Sequence, residues 1–333
     1  MRGMPFVIDH STNIASGIYD SLSRLERIAG SETYHLKNNL RTPLGIYNIS
    51  ISRIFNKTTK LARILEGLFN QENLEKSLPE TKTSDAIDYI ELAIYAAAEH
   101  IDDIDSIATN FFSSMIECRK NPAYRELQSR LKEKKKFISA VANSIKHQQS
   151  RIRLVSTEFF HGHNEMILYG FFIESINNGE IVPSPLFHKD TGIISATNLP
   201  WEIITFTLEC SLALCDFLSK ITEESSTPTR SESTSITRAA MAAARLPLYS
   251  FGEGHAFEHT KIVFNIPSHC KSEFDSGIYG SFFRGWLHFP PIEIGRSTAS
   301  FEADGTNTMR FTLPKLGTIK LHRWQSLENY KNN

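Results

Sequence analysis

Apolar residues recur from Ile87 through Ile90, Ile94, Ile101, Ile104, Ala108 and Phe111 to Met115, and this sustained stripe limits the possible folds more than any other feature. Its period of three to four residues predicts one amphipathic helix of about 30 residues, ~45 Å long. Ser84, followed by Asp85 and Asp88, makes a favourable helix start, because acids complement the positive helix end. Asn121-Pro122 breaks the pattern. A second helix is then expected over residues 132–160, with Phe137, Val141, Ile145, Ile152 and Val155 on one face. Two long helices joined by so short a turn should lie antiparallel. Their charges are opposed: residues 72–105 carry ten Asp/Glu and two Lys, whereas residues 119–153 carry eleven Lys/Arg and two Asp/Glu. The overall net charge of −1 hides both.

The remaining chain divides around this pair. Residues 10–29 suggest a short helix stopping at Gly30, residues 46–54 a strand, and residues 57–78 a helix through Leu61, Ile64, Leu65 and Leu68. Residues 166–175 and 180–188, joined by Asn177-Asn178-Gly179, read as a β-hairpin, with a short strand at 192–196. Helices are expected at 201–221 and 237–245, separated by a Ser/Thr/Glu-rich loop at 222–235. Beyond Pro247, short runs of β-formers at 261–266, 281–289, 300–302, 309–313 and 318–322 alternate with turn residues. The expected class is α+β: an N-terminal accessory helical region (1–80), a central antiparallel four-helix bundle with an inserted hairpin (81–245, insert at about 166–196), and a β-rich C-terminal domain (246–333).

A hydrophobic content of 41% with 22% charged residues is that of a globular chain, and the balanced net charge gives no global reason to expect a nucleic acid or an acidic membrane. The apolar run at 166–173 is far shorter than the ~20 residues of a membrane span, and the N-terminal apolar run is too short for a signal peptide. Cys118, Cys210, Cys215 and Cys270 form no Cys-x-x-Cys pair, which suits reduced, mostly buried thiols. A soluble cytoplasmic protein with no membrane association is expected.

Chemistry concentrates on the second helix. Asn143, His147 and Ser150 fall opposite its apolar face, flanked by Lys146 and Arg151. Histidine can shuttle protons near neutral pH, while Lys and Arg hold phosphate and stabilise developing charge. Those are the needs of RNA cleavage without metal or cofactor. His147 would be the acid/base, Lys146 and Arg151 the phosphate-holding cations and Asn143 a positioning group. Lys134, Lys135, Lys136, Ser150 and Arg153 would extend the RNA contact. The plainer alternative is a solvated basic face, binding RNA or an acidic partner without turnover. The acidic run Glu99, His100, Asp102, Asp103, Asp105 could hold a divalent ion, but pairing with Lys/Arg of the following helix is the simpler reading. His255, Glu258 and His259 fit a His-x-x-Glu-His pattern, and His255, His259, His269 and Cys270 could form a zinc site; surface histidines are the alternative. His161-Gly162-His163 suggests a cap or turn.

The segment Ala142-Asn143-Ser144-Ile145-Lys146-His147 resembles the motif helix of HEPN domains, all-α bundles whose signature often reads Arg-Asn-x-x-x-His. Asn143 and His147 match it, and Ala142 stands at the arginine position. The resemblance extends as helix order over about residues 84–245. It implies metal-independent RNA cleavage in a defence or toxin setting, with two copies facing across a homodimer. Members with incomplete motifs would act as non-catalytic binding modules. A protein partner for the C-terminal region is also expected.

Overall fold

The structure, a computed structural model, describes residues 21–28, 34–71, 80–148, 150–161, 164–178, 180–188, 193–222, 234–243, 245–247 and 249–251, and beyond these the short strands named below. It is a mixed fold of helices and a largely antiparallel sheet. The helices are residues 21–27 (α1), Tyr34–Lys37 (α2), Pro43–Gln71 (α3), Glu80–Thr109 (α4), Met115–Lys120 (α5), Pro122–His147 (α6), Asn198–Ile221 (α7) and Thr234–Ala243 (α8). Helix α3 packs along α4 and α8, and α6 packs on both α4 and α7. The apolar stripe predicted from Ile87 onward is largely that of α4, which begins at Glu80 rather than Ser84 and runs for 30 residues. Ile90, Ile101, Ile104 and Ala108 are fully buried along it.

Two expectations are corrected. Residues 46–54 are not a strand but the first half of α3. Tyr47, Ile54 and Phe55 are fully buried and Ile51 nearly so, at spacings of three, four and seven residues that give a single helical core face. The alternation of Ile49 and Ile51 with Asn48, Ser50 and Ser52 is too short to decide the period. Thr58 and Thr59 sit in the same helix, their hydroxyls donating to the Ile54 and Phe55 carbonyls at 2.9 and 2.6 Å. The N-terminal region therefore supplies part of the bundle core.

The second correction concerns residues 132–160, which do not form one helix. Helix α6 ends at His147, and Ile152–His161 is a strand, β1. It pairs antiparallel with Asn164–Asn177 (β2), in register from Ile152 opposite Ile173 to His161 opposite Asn164. Ile152 and Val155 happen to continue the helical spacing, but β-branched and aromatic residues around them gain more from the ladder with β2. His161 ends β1; His163 lies outside the described residues.

The predicted hairpin is present as β2 and Glu180–Pro183 (β3), with Asn178 at φ 51°, the left-handed conformation a two-residue Asn-Gly turn requires. Ile194–Ser195 (β4) also pairs with β2. At Gly170 of β2 a Cβ would stand 2.2 Å from Ile193 Cγ2 and 2.7 Å from Phe251, so only glycine allows this approach. The Tyr249 hydroxyl donates to the Tyr169 carbonyl and accepts from the Tyr169 N–H, each at 2.7 Å, which fixes Tyr249–Phe251 (β5) over β2.

Farther on lie Ile262–Val263 (β6), Gly280–Phe282 (β7), Trp286–His288 (β8), Ser297–Thr298 (β9), Ala303–Asp304 (β10), Asn307–Thr308 (β11), Arg310–Phe311 (β12), Ile319–His322 (β13) and Gln325–Ser326 (β14). Two of them join the hairpin, β9 antiparallel to β1 and β12 parallel to β3, giving the order β12-β3-β2-β1-β9. The expected helix stop at Gly30, most of the loop at 222–235, and His255, Glu258, His259, His269 and Cys270 lie outside the described residues.

Candidate nucleic-acid interface

Asn121 ends α5 and starts α6. Its side chain accepts from the Ala123 and Tyr124 N–H groups at 2.9 and 3.3 Å, while Pro122 takes the first helical position, where an N–H is not needed. From there α6 divides sharply by face. Tyr124, Leu127, Leu131, Ile138, Val141 and Ala142 are buried. Arg125, Ser129, Lys132, Lys136, Asn143 and His147 are exposed on the opposite side. Arg125, Lys132, Lys136, Asn143 and His147 follow one another at alternating steps of seven and four residues, so they form a straight stripe ~33 Å long. Lys134 and Lys135 belong to α6, but their side chains lie outside the described set.

The stripe ends at an elbow between α6 and β1. Gln148 N–H bonds the Ser144 carbonyl at 2.9 Å, Ser150 N–H reaches the same carbonyl at 3.3 Å, and the Ser144 and Ser150 hydroxyls bond each other at 2.8 Å. This closure replaces the glycine or proline stop that the sequence lacks. Lys146 and His147 lie in the last turn, where the Lys146 charge suits the negative helix end. Backbone groups there point carbonyls outward, so any anion at this end is held by side chains.

Asn143, Lys146, His147 and Arg151 are all exposed here, and Ser150 is half-buried. Lys146 Nζ sits over the Tyr95 ring of α4, 4.7 Å from its centroid. Glu91, one turn earlier on α4, accepts from the Ile152 N–H and lies near Arg151. Burial raises its carboxyl above the ordinary range, against the opposing pull of that N–H and of Arg151. Burial, and then Glu91, also raises the Tyr95 phenol. Sequence reasoning missed both α4 residues; the signal was a Glu and a Tyr one turn apart on the predicted helix.

Two expected positions fall elsewhere. Arg153, expected to extend the RNA contact, is buried within the sheet, where its Nε donates to Glu174 at 2.6 Å. The two residues lie diagonally across the β1–β2 register, a relationship visible only once the strands are paired. Ala142, at the position of the motif arginine, is 2% exposed and belongs to the core.

The acidic run of α4 is structural. Arg53 of α3, not a cation of α6, holds Glu99 at 2.7 Å and Asp103 at 2.8 Å. His100 is fully buried, with Nδ1 2.7 Å from the Ser50 hydroxyl; burial, then nearby Arg53, lowers its pKa to about 3. Asp105 accepts from the Tyr124 hydroxyl at 2.7 Å and from the Gln128 amide. Among the described residues no group of His, Cys, Asp and Glu is arranged to hold a metal ion. Cys118, Cys210 and Cys215 are free and buried. No described helix is long and apolar enough to cross a membrane. Comparison with protein-family models, with curated proteins and with solved structures gives no match.

Proposed function

We propose that this chain is an RNA-directed, HEPN-like binding protein whose contact surface is the outer face of α6 and the elbow that follows it. The observation that supports this is the exposed stripe from Arg125 to His147, continued by Arg151. Cations spaced along a straight helix suit a phosphate backbone, which binds through charge neutralisation and counterion release. The buried Ala142 favours binding over cleavage, because the planar, two-pronged cation of the motif is missing on the side where substrate would lie. A homodimer, as the resemblance implies, would bring two stripes together.

Metal-independent cleavage is the second reading, favoured by the exposure of His147 beside Lys146 and Arg151. His147 would take the 2′-OH proton, and the two cations would steady the phosphorane. One experiment addresses both readings. A labelled 12-nucleotide single-stranded RNA is titrated in EDTA at several salt concentrations against wild type, Lys132→Gln/Lys136→Gln and His147→Ala, and the product ends are analysed. Salt-sensitive binding is expected, with the slope of log K against log salt reduced by about 1.4 in the double variant, at ~0.7 per lost contact. Binding of equal strength and slope in the double variant would sink the stripe. Cyclic-phosphate ends made by wild type and lost in His147→Ala would move the assignment to the nuclease.

A further inference from the structure

At the head of the stripe, α4, α5 and α6 enclose an open groove of about 440 Å³, lined by Asp105, Met115, Arg119, Tyr124, Arg125 and Gln128. That volume is within the range of small-ligand sites. The groove offers three kinds of contact. Arg119 and Arg125 are exposed cations, and neither is paired with a carboxylate among the described residues. Met115, 47% exposed, supplies an apolar wall. The floor is polar and preset: one oxygen of Asp105 receives both the Tyr124 hydroxyl and the Gln128 amide. Asp105 and Gln128 both line the groove, and each carries a further oxygen able to accept.

We propose that this groove is a nucleotide pocket that takes an unpaired base bearing an exocyclic amine, with its phosphate on Arg119 and Arg125. The inference rests on the RNA reading of α6, and Arg125 joins the two, since it is the first residue of the stripe and part of the groove wall. A carboxylate on the floor disfavours a bare anion but accepts readily from an amine, as Asp does with cytosine. An arginine can also lie flat on an unstacked base. A strand running along α6 would then place one splayed nucleotide at the helix head and its backbone toward His147. Cytidine and uridine differ at this edge by amine against carbonyl, at nearly equal size, so they isolate the role of Asp105.

The test titrates CMP, UMP and inorganic phosphate into the full chain by NMR, alongside the 12-nucleotide RNA. CMP is expected to bind at least fivefold tighter than UMP. Asp105→Asn should erase that difference while keeping an acceptor for Tyr124, and Arg119→Gln/Arg125→Gln should weaken CMP at least tenfold with unchanged thermal unfolding. If CMP and UMP bind equally, or if phosphate competes as well as CMP, the base pocket is wrong. If the 12-mer binds and no monophosphate does, the groove fails while the stripe stands. CMP binding without 12-mer binding upholds the groove and removes the RNA reading beneath it.

Discussion

Cations paired between elements and cations on the outer face of α6 have opposite fates. Arg53 spans Glu99 and Asp103 where α3 meets α4, Arg153 meets Glu174 within the sheet, and Arg130 reaches across to Asp216 of α7. Each of these consumes its charge within the fold. On the other side of α6, Arg125 and Lys132 face solvent, as does Arg151 beyond the elbow. Arg151 and Arg153 are two residues apart, yet one is exposed and the other is 8% exposed. Sequence charge therefore says little by itself; what matters is which cations the fold already satisfies. The acidic and basic segments, opposed in sequence, do not simply neutralise each other, because Arg53 of α3 takes Glu99 and Asp103.

The comparison breaks most readily at Arg153. Arg153→Ala leaves Glu174 buried without this partner, and a loss of about 3–5 kcal/mol is expected in urea unfolding. A loss below ~1 kcal/mol would mean that Arg153 is no more structural than the stripe.

A smaller effect should come from pH. Burial lowers His188, whose Nε2 accepts from the Ile173 N–H at 2.9 Å, to about 4, and lowers His100 to about 3. Both lie below the ordinary histidine value, so the unfolded chain binds protons that the native state refuses. Their contribution is complete above pH ~6.5 and is lost as pH falls from there toward 4 and 3. Each should cost up to about 2 kcal/mol at pH 5. Raised carboxyls at Glu91 and Asp103 work in the opposite direction as they protonate. Unfolding free energies at pH 7.5 and 5.0, for wild type and His188→Gln, would show the histidine share as the part of the drop that the variant lacks.

The smallest effect on stability is expected on the stripe. Lys132→Gln/Lys136→Gln should shift unfolding by less than about 0.5 kcal/mol, since both side chains are exposed. A larger loss would place these lysines among the structural cations.

Much of the fold was legible where a long period met little competition. The α4 stripe, α7 beginning near Pro200 and the hairpin turn at Asn178 all follow from local rules. The errors arose where local patterns were ambiguous. Ile46 to Ile54 could be read with period two or 3.6, and burial along α3 settled it. Ile152 and Val155 fitted a helix until β2 offered a partner. Exposure of Asn143 and His147 was readable from helical phase. The burial of Arg153, the hold of Glu91 on the Ile152 N–H and the groove around Asp105 were not, because each joins residues distant in sequence.

The placement of β9 and β12 has a consequence for synthesis. The two outer strands of the β1-β2-β3 unit, β1 and β3, complete their ladders with strands that emerge more than a hundred residues later. At ribosomal speeds of ~5–20 residues per second, those edges wait on the order of ten seconds with open backbone donors and acceptors. The helices, complete by Ala243, can pack on one another meanwhile. An uncovered strand edge is where another chain can add, so the interval before β9 and β12 arrive is when the nascent protein is most exposed to aggregation and to chaperone capture.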